Sequence, residues 1–197
     1  MLHLELARII KDMQRRRLNE GTLPTLDKLK WYYASFRERF GPDVLQGLDG
    51  EALLTKMHRL GRQNNDSLAY WLEFKNDEEF PKIFGSISGG SALKFGVYPN
   101  AKTGEWMGRG PDGRTPIPIT LEEAIVIARR HREQLLAGVR LLEALPANAS
   151  DDDYRALQAQ INQQLPDVGD TTWGHKYLSL LFPDKLDDYH VEKYQRF

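Results

Sequence analysis

Cysteine is absent from all 197 residues, which removes disulfides, thiol nucleophiles and cysteine-containing zinc sites from consideration. Nor is there any run approaching the roughly 18 apolar residues of a membrane span. The start, MLHLELARIIKDMQRRR, holds too short an apolar run for a signal peptide and carries Glu5 and Asp12 inside it. Excess charge is lacking too: 27 Lys and Arg stand against 28 Asp and Glu, so no global field draws the molecule toward DNA or an anionic membrane. These absences predict a cytoplasmic protein with no membrane partner. At this length one domain, or two small ones, buries roughly 70% of the unfolded surface and folds without metal or disulfide staples.

Catalytic signatures are missing as well. The phosphate-cradling pattern GxxxxGK[ST] does not occur. GSISGGS at 85–91 has the glycine content of an anion nest, but no lysine or long helix follows it in place, and it reads as a strand turn or bulge. The histidines at 3, 58, 131, 175 and 190 form no HExxH or paired spacing, and no GxSxG elbow exists. No metal site or cofactor is therefore expected. One catalytic pattern does occur, Glu73-Phe-Lys75 with Pro42-Asp43 upstream. It matches the metal-holding carboxylates and water-orienting lysine of PD-(D/E)xK nucleases, although Asp43 follows a helix stop and does not sit on a hairpin strand.

Charge is segregated along the chain. Residues 1–62 carry twelve Lys and Arg against eight Asp and Glu, and residues 120–197 carry nine against thirteen. Leu2, Leu6, Ile9, Ile10 and Met13 recur at helical spacing, predicting an amphipathic helix over 2–18 that Asn19-Glu20-Gly21 stops. Arg15, Arg16 and Arg17 at its end fit the preference of cations for a helix C-terminus better than a phosphate grip. Thr25 opens a second helix that Gly41-Pro42 ends, with Trp31, Tyr32, Tyr33, Phe36 and Phe40 spaced as helix core. Residues 50–60 supply a third.

From Ser67 the period shifts toward two, and short antiparallel strands are expected at about 67–74, 83–88, 92–98 and 104–108. Pro111 to Pro118 reads as an exposed connection. Thr120 and Glu123 form a capping box for a helix reaching Leu145, in which Arg129-Arg130-His131-Arg132 reads as a solvated face. Ser150 to Asp153 starts a helix ending before Pro166, Thr171 or Thr172 caps the next, and residues 187–197 look helical. The fold class is α+β: a helical N-terminal region over 1–63, then a recognition domain over 64–197 with a small antiparallel sheet of three to four strands and a helical end.

Within the β-patterned stretch, aromatics and cations interleave, a mixture suited to stacking on a base while neutralising phosphate. The candidate nucleic-acid-binding residues are Lys94, Tyr98, Lys102, Trp106, Arg109 and Arg114. Trp106, between Gly104 and Gly108, is the leading stacking candidate. The competing assignment is an assembly domain whose acidic C-terminal helices dock a partner.

Four segments carry a family resemblance: LEFKNDEEFPKIFGSISGGSALKFGVY, TGEWMGRG, ITLEEAIVIARRHREQLLAG and WGHKYLSLLFPDKLDDYHVEKYQRF. They resemble the region preceding the motor in McrB-like AAA+ restriction proteins, over residues 64–197, and the Trp173 to His190 block is the most specific part. The resemblance implies a non-catalytic, target-sensing region of a modification-dependent or anti-phage system, whose partners are DNA, a GTP- or ATP-driven motor and a separate nuclease subunit. With no Walker motif in this chain, neither hydrolysis nor cleavage carries over to it.

Overall fold

The computed structural model describes residues 2–59, 66–75, 86, 87 and 89–187, with side chains from residue 4 onward. Two compact units result, Met1–Ser35 and Phe36–Phe197, the division falling inside the second helix. Helix α1 (Leu2–Asn19) ends at Gly21, where φ is 66°. Helix α2 (Leu26–Phe40) starts after Thr25, whose hydroxyl accepts from the Lys28 amide at 3.3 Å. Gly41-Pro42 ends α2 and also opens a short helix, α3 (Pro42–Gln46), because proline at a first helical position lacks only an amide that would be unpaired anyway. Helix α4 spans Gly50–His58.

Residues 67–74, expected as a strand, are helical: α5 (Leu68–Tyr70) runs into a π-turn, Trp71–Lys75. The Ser67 hydroxyl caps this segment by accepting from the Tyr70 amide at 3.1 Å, and burial of neighbouring pairs, Leu68 with Ala69 and Trp71 with Leu72, shows none of the alternation a half-buried strand needs. The strand expected at 83–88 lies mostly outside the described residues, and Ser86 and Ile87 have no regular structure. Ser91 caps a 3-10 turn over Ala92–Phe95, so the expected strand at 92–98 shortens to β1 (Val97–Pro99). Strand β2 is Trp106–Arg109 and β3 is Pro116–Pro118.

The three strands form an antiparallel sheet in the order β1-β2-β3, with Tyr98 opposite Met107 and Gly108 opposite Ile117. The stretch read as an exposed connection thus contributes a strand, although one whose three residues are all exposed. Its two prolines cannot donate to a ladder, and an edge strand does not require them to.

Helix α6 (Leu121–Ala144) begins with the capping box foreseen, Thr120 and Glu123 exchanging bonds of 2.8 and 3.2 Å. Ser150 and Asp153 make a second box at α7 (Asp151–Gln164), and Thr171 caps α8 (Thr172–Leu181) through the Gly174 amide. The helices before and after the sheet make the molecule mostly helical. The core of the second unit joins α2 to α8: Phe40 stacks edge-on to Trp71 at 5.5 Å and Phe36 to Tyr177 at 6.0 Å, and the Tyr177 hydroxyl donates to the Phe40 carbonyl at 2.9 Å. Helix α6 packs against α3, α4, α7 and α8 and touches β1 and β2. Its C-terminal carbonyls, at Leu142 and Leu145, accept from the Lys185 ammonium at 2.6 and 2.7 Å, which satisfies acceptors a helix end leaves open. No described helix is long and apolar enough to cross a membrane.

Candidate nucleic-acid interface

The candidate residues divide among three places. Lys102 sits in the β1-β2 loop, held by Asn100, whose side-chain oxygen accepts from the Lys102 and Thr103 amides at 2.9 and 3.4 Å while Gly104 takes φ 76°. Arg114 sits in the β2-β3 loop, where Asp112 accepts from the Arg114 and Thr115 amides at 2.9 and 2.8 Å and from the Thr115 hydroxyl at 2.6 Å. Those bonds, the Thr115 hydroxyl foremost, hold the Asp112 carboxyl down at about 2. Both loops are Asx-type turns with a fixed backbone, and both present an exposed cation.

Because β2 runs between the loops, Lys102 and Arg114 lie at opposite ends of the sheet, with roughly 10 Å of strand between them. Trp106 is at the Lys102 end and Arg109 at the Arg114 end. Trp106 opposes Pro99 while Tyr98 opposes Met107, so the two aromatics point to opposite faces and cannot stack on one base together. Trp106 is half-buried and Arg109 exposed.

Lys94 is elsewhere and is occupied. Its ammonium pairs with Glu73 at 2.8 Å and donates to the carbonyls of Ile87 and Gly89 at 2.7 and 2.9 Å, using all three protons. The glycine-rich loop therefore turns carbonyls toward a cation, the reverse polarity of an anion nest. The sequence carried no signal for this pairing, since Glu73 and Lys94 are 21 positions apart. Replacing Lys94 with Met should cost about 3 kcal/mol, because it strands a nearly buried carboxylate and frees two loop carbonyls. Urea melts of the wild type and K94M check this.

The same pair bears on the nuclease pattern. Glu73 lies in the π-turn with its carboxylate engaged, and Asp43 in the first turn of α3. Neither is on a strand, and among the described residues no group of three or more His, Asp or Glu side chains is placed to hold a metal ion. A shallow cavity of about 380 Å³ along α4 is lined by Leu48, Glu51, Ala52, Thr55, Lys56 and Asp66, and the Lys56–Asp66 ion pair of 2.7 Å neutralises its rim.

The basic run on α6 is a solvated face only in part: Arg129 and Arg130 are exposed and ion-paired, Arg132 is half-buried and His131 is buried. Arg129 pairs with Asp49 at 2.6 Å and Arg130 with Asp167 at 2.9 Å. His131 turns inward, 3% exposed, with its Nδ1 3.2 Å from Nε2 of the equally buried His58. Trp173 lies 5.5 Å from the His131 ring and 6.0 Å from the His58 ring, both edge-on. Gly96, at φ 79°, makes the room: a Cβ there would stand 2.8 Å from His131 Cε1. Burial pushes His131 down to about 4, against an opposing pull from Asp167, and pushes His58 well below its usual value. Nδ1 of His58 has no partner. The tautomer with His58 Nε2–H donating to His131 leaves a bare lone pair there instead of a buried N–H, and is favoured for that reason.

No protein-family model, curated protein or solved structure matches this chain.

Proposed function

We propose that this chain is the DNA-binding, target-sensing region of a McrB-like AAA+ restriction protein, non-catalytic by itself, acting in the cytoplasm with a motor and a nuclease subunit of the same system. The observation that supports it is the pair of hydrogen-bonded loops that hold Lys102 and Arg114 in solvent at the two ends of one short sheet. A fixed loop loses little entropy when its cation meets a phosphate, so such loops suit backbone contacts. In this reading Lys102 and Arg114, on the loops, neutralise phosphates and Trp106 stacks on an accessible or flipped base, modified or not, whereas Arg109 lies on the Tyr98 face of β2 and donates to the Lys94 carbonyl at 3.5 Å. Tyr98, on the other face, has no part in that stack, and Lys94 acts by holding the Ile87 and Gly89 carbonyls.

The test is binding of the full chain to fluorescent duplexes and single strands, unmodified and cytosine-modified, across a salt series. Each of Lys102→Ala and Arg114→Ala should flatten the logarithmic salt slope by about 1, and Arg109→Ala should leave it unchanged. Trp106→Ala should weaken binding by ~1–3 kcal/mol with the slope unchanged. Absence of binding at low salt, or Lys102, Arg114 and Trp106 variants indistinguishable from wild type, would overturn the reading.

A further inference from the structure

Four groups converge on one point beside the π-turn. The Glu73 carboxylate and the carbonyls of Ile87 and Gly89 stand 2.8, 2.7 and 2.9 Å from the Lys94 nitrogen, and the Phe95 ring centroid lies 5.4 Å from it. The acceptors come from separate pieces of chain, the π-turn and the glycine-rich segment, where Gly89 takes φ 97°, a value that L side chains rarely adopt. Glu73 and Phe95 are buried, whereas the Lys94 side chain is 23% exposed, so solvent reaches along its stem.

That arrangement has the chemistry of a receptor. Three oxygens at hydrogen-bond distance match the three protons of a primary ammonium, and the aromatic ring adds cation–π attraction. One carboxylate among neutral carbonyls balances a single positive charge. A divalent ion would be left under-compensated, and an anion would meet only oxygens. We propose that Glu73, the Ile87 and Gly89 carbonyls and Phe95 form a binding site for a primary ammonium group, which Lys94 fills as a tethered occupant and a free alkylammonium fills once that stem is removed. The site is separate from the sheet loops, so it holds or fails independently of DNA binding by them.

Propylammonium is the probe, because Lys94→Ala deletes the side chain from Cγ to Nζ and propylammonium has the same heavy atoms. The full chain carrying Lys94→Ala should melt roughly 10 °C below wild type. Propylammonium at ~100 mM, about ten times its expected dissociation constant, should raise the folding constant about tenfold and return roughly 4 °C. Tetramethylammonium at equal ionic strength has the charge but no N–H and should return nothing, and wild type should be indifferent to both. Two further variants should not respond: Lys94→Ala with Glu73→Gln, which lacks the carboxylate, and Lys94→Met, which fills the space of the stem. If Lys94→Ala is unfolded in buffer, recovery of helical circular dichroism on adding propylammonium is the readout, and no recovery overturns the proposal. So does a melt that the two amines move equally, or a rescue that survives Glu73→Gln. Equal rescue by potassium also overturns it, making the site one for any monovalent cation.

Discussion

Acidification from pH 6.5 to 4 should remove about 3 kcal/mol of stability through His131 alone, with His58 adding to the loss. In the folded protein both rings are neutral because burial disfavours the cation, whereas in the unfolded chain they take up a proton near 6.5. Between those values the unfolded state binds more protons, so stability is full above pH 6.5 and falls as the pH drops toward 4. The charged groups around His131 act in both directions: Asp167 favours its protonation, and Arg130 and Arg109 oppose it. Urea melts at half-unit steps from pH 8 to 4 measure the slope. His58→Leu with His131→Phe should flatten the profile through this window. The window is separate from that of the hydrogen-bonded carboxylates, since Asp49 and Asp112 are held at about 2 and release their contribution only at lower pH. An unchanged profile in the double variant would mean that the pair does not govern acid stability.

Gly174→Ala should be the more damaging of two glycine substitutions that helix propensity alone would favour. Alanine is better than glycine in a helix by about 1 kcal/mol, but a Cβ at Gly174 would stand 2.0 Å from the Val168 carbonyl oxygen, and backbone held by the Thr171 cap cannot retreat. A loss of ~3 kcal/mol or more is expected, at the upper end of overpacking costs. At Gly138 the nearest atoms are methyl ends of Leu165 and Leu178 at 2.9 and 3.1 Å, which can rotate. Gly138→Ala should therefore cost about 1 kcal/mol or less once the propensity gain offsets the crowding. Thermal melts of the two variants side by side test the difference, and equal losses would refute the distinction between backbone and side-chain obstruction.

The described part of the Trp173 to His190 block, through Lys185, serves as scaffold. Trp173 covers the two histidines, Tyr177 ties α8 to α2, and Lys185 closes the end of α6. Its distinctive residue pattern reflects packing and capping at several helix ends. That accounts for its giving no direct view of a binding site.

Helix starts and stops were legible because capping is local chemistry. Thr25, Thr120, Ser150 and Thr171 each bond an amide within three residues, and Gly41-Pro42 ends a helix by its own backbone restrictions. The strand expected at 67–74 fails because the aromatic content of Tyr70, Trp71 and Phe74 carries strand preference only where a pleated neighbour exists. Here the Ser67 cap and burial on both sides of Tyr70, from Ser67 to Glu73, outweighed it. The candidate cations were legible as residue types, but their availability was not. Lys94 differs from Lys102 and Arg114 only in that the fold brings Glu73, Ile87 and Gly89 to it. His131 likewise shares a basic run with three arginines and leaves them because one helix face meets His58, Gly96 and Trp173. By itself the sequence determined the α+β class, the helix caps and the amphipathic character of α1, all consequences of periodicity and of bonds spanning a few residues. Which charges are neutralised, which histidines are dry and which face of each strand a side chain takes were decided by contacts between distant segments, because the cost of burying a charge depends on what the fold sets beside it.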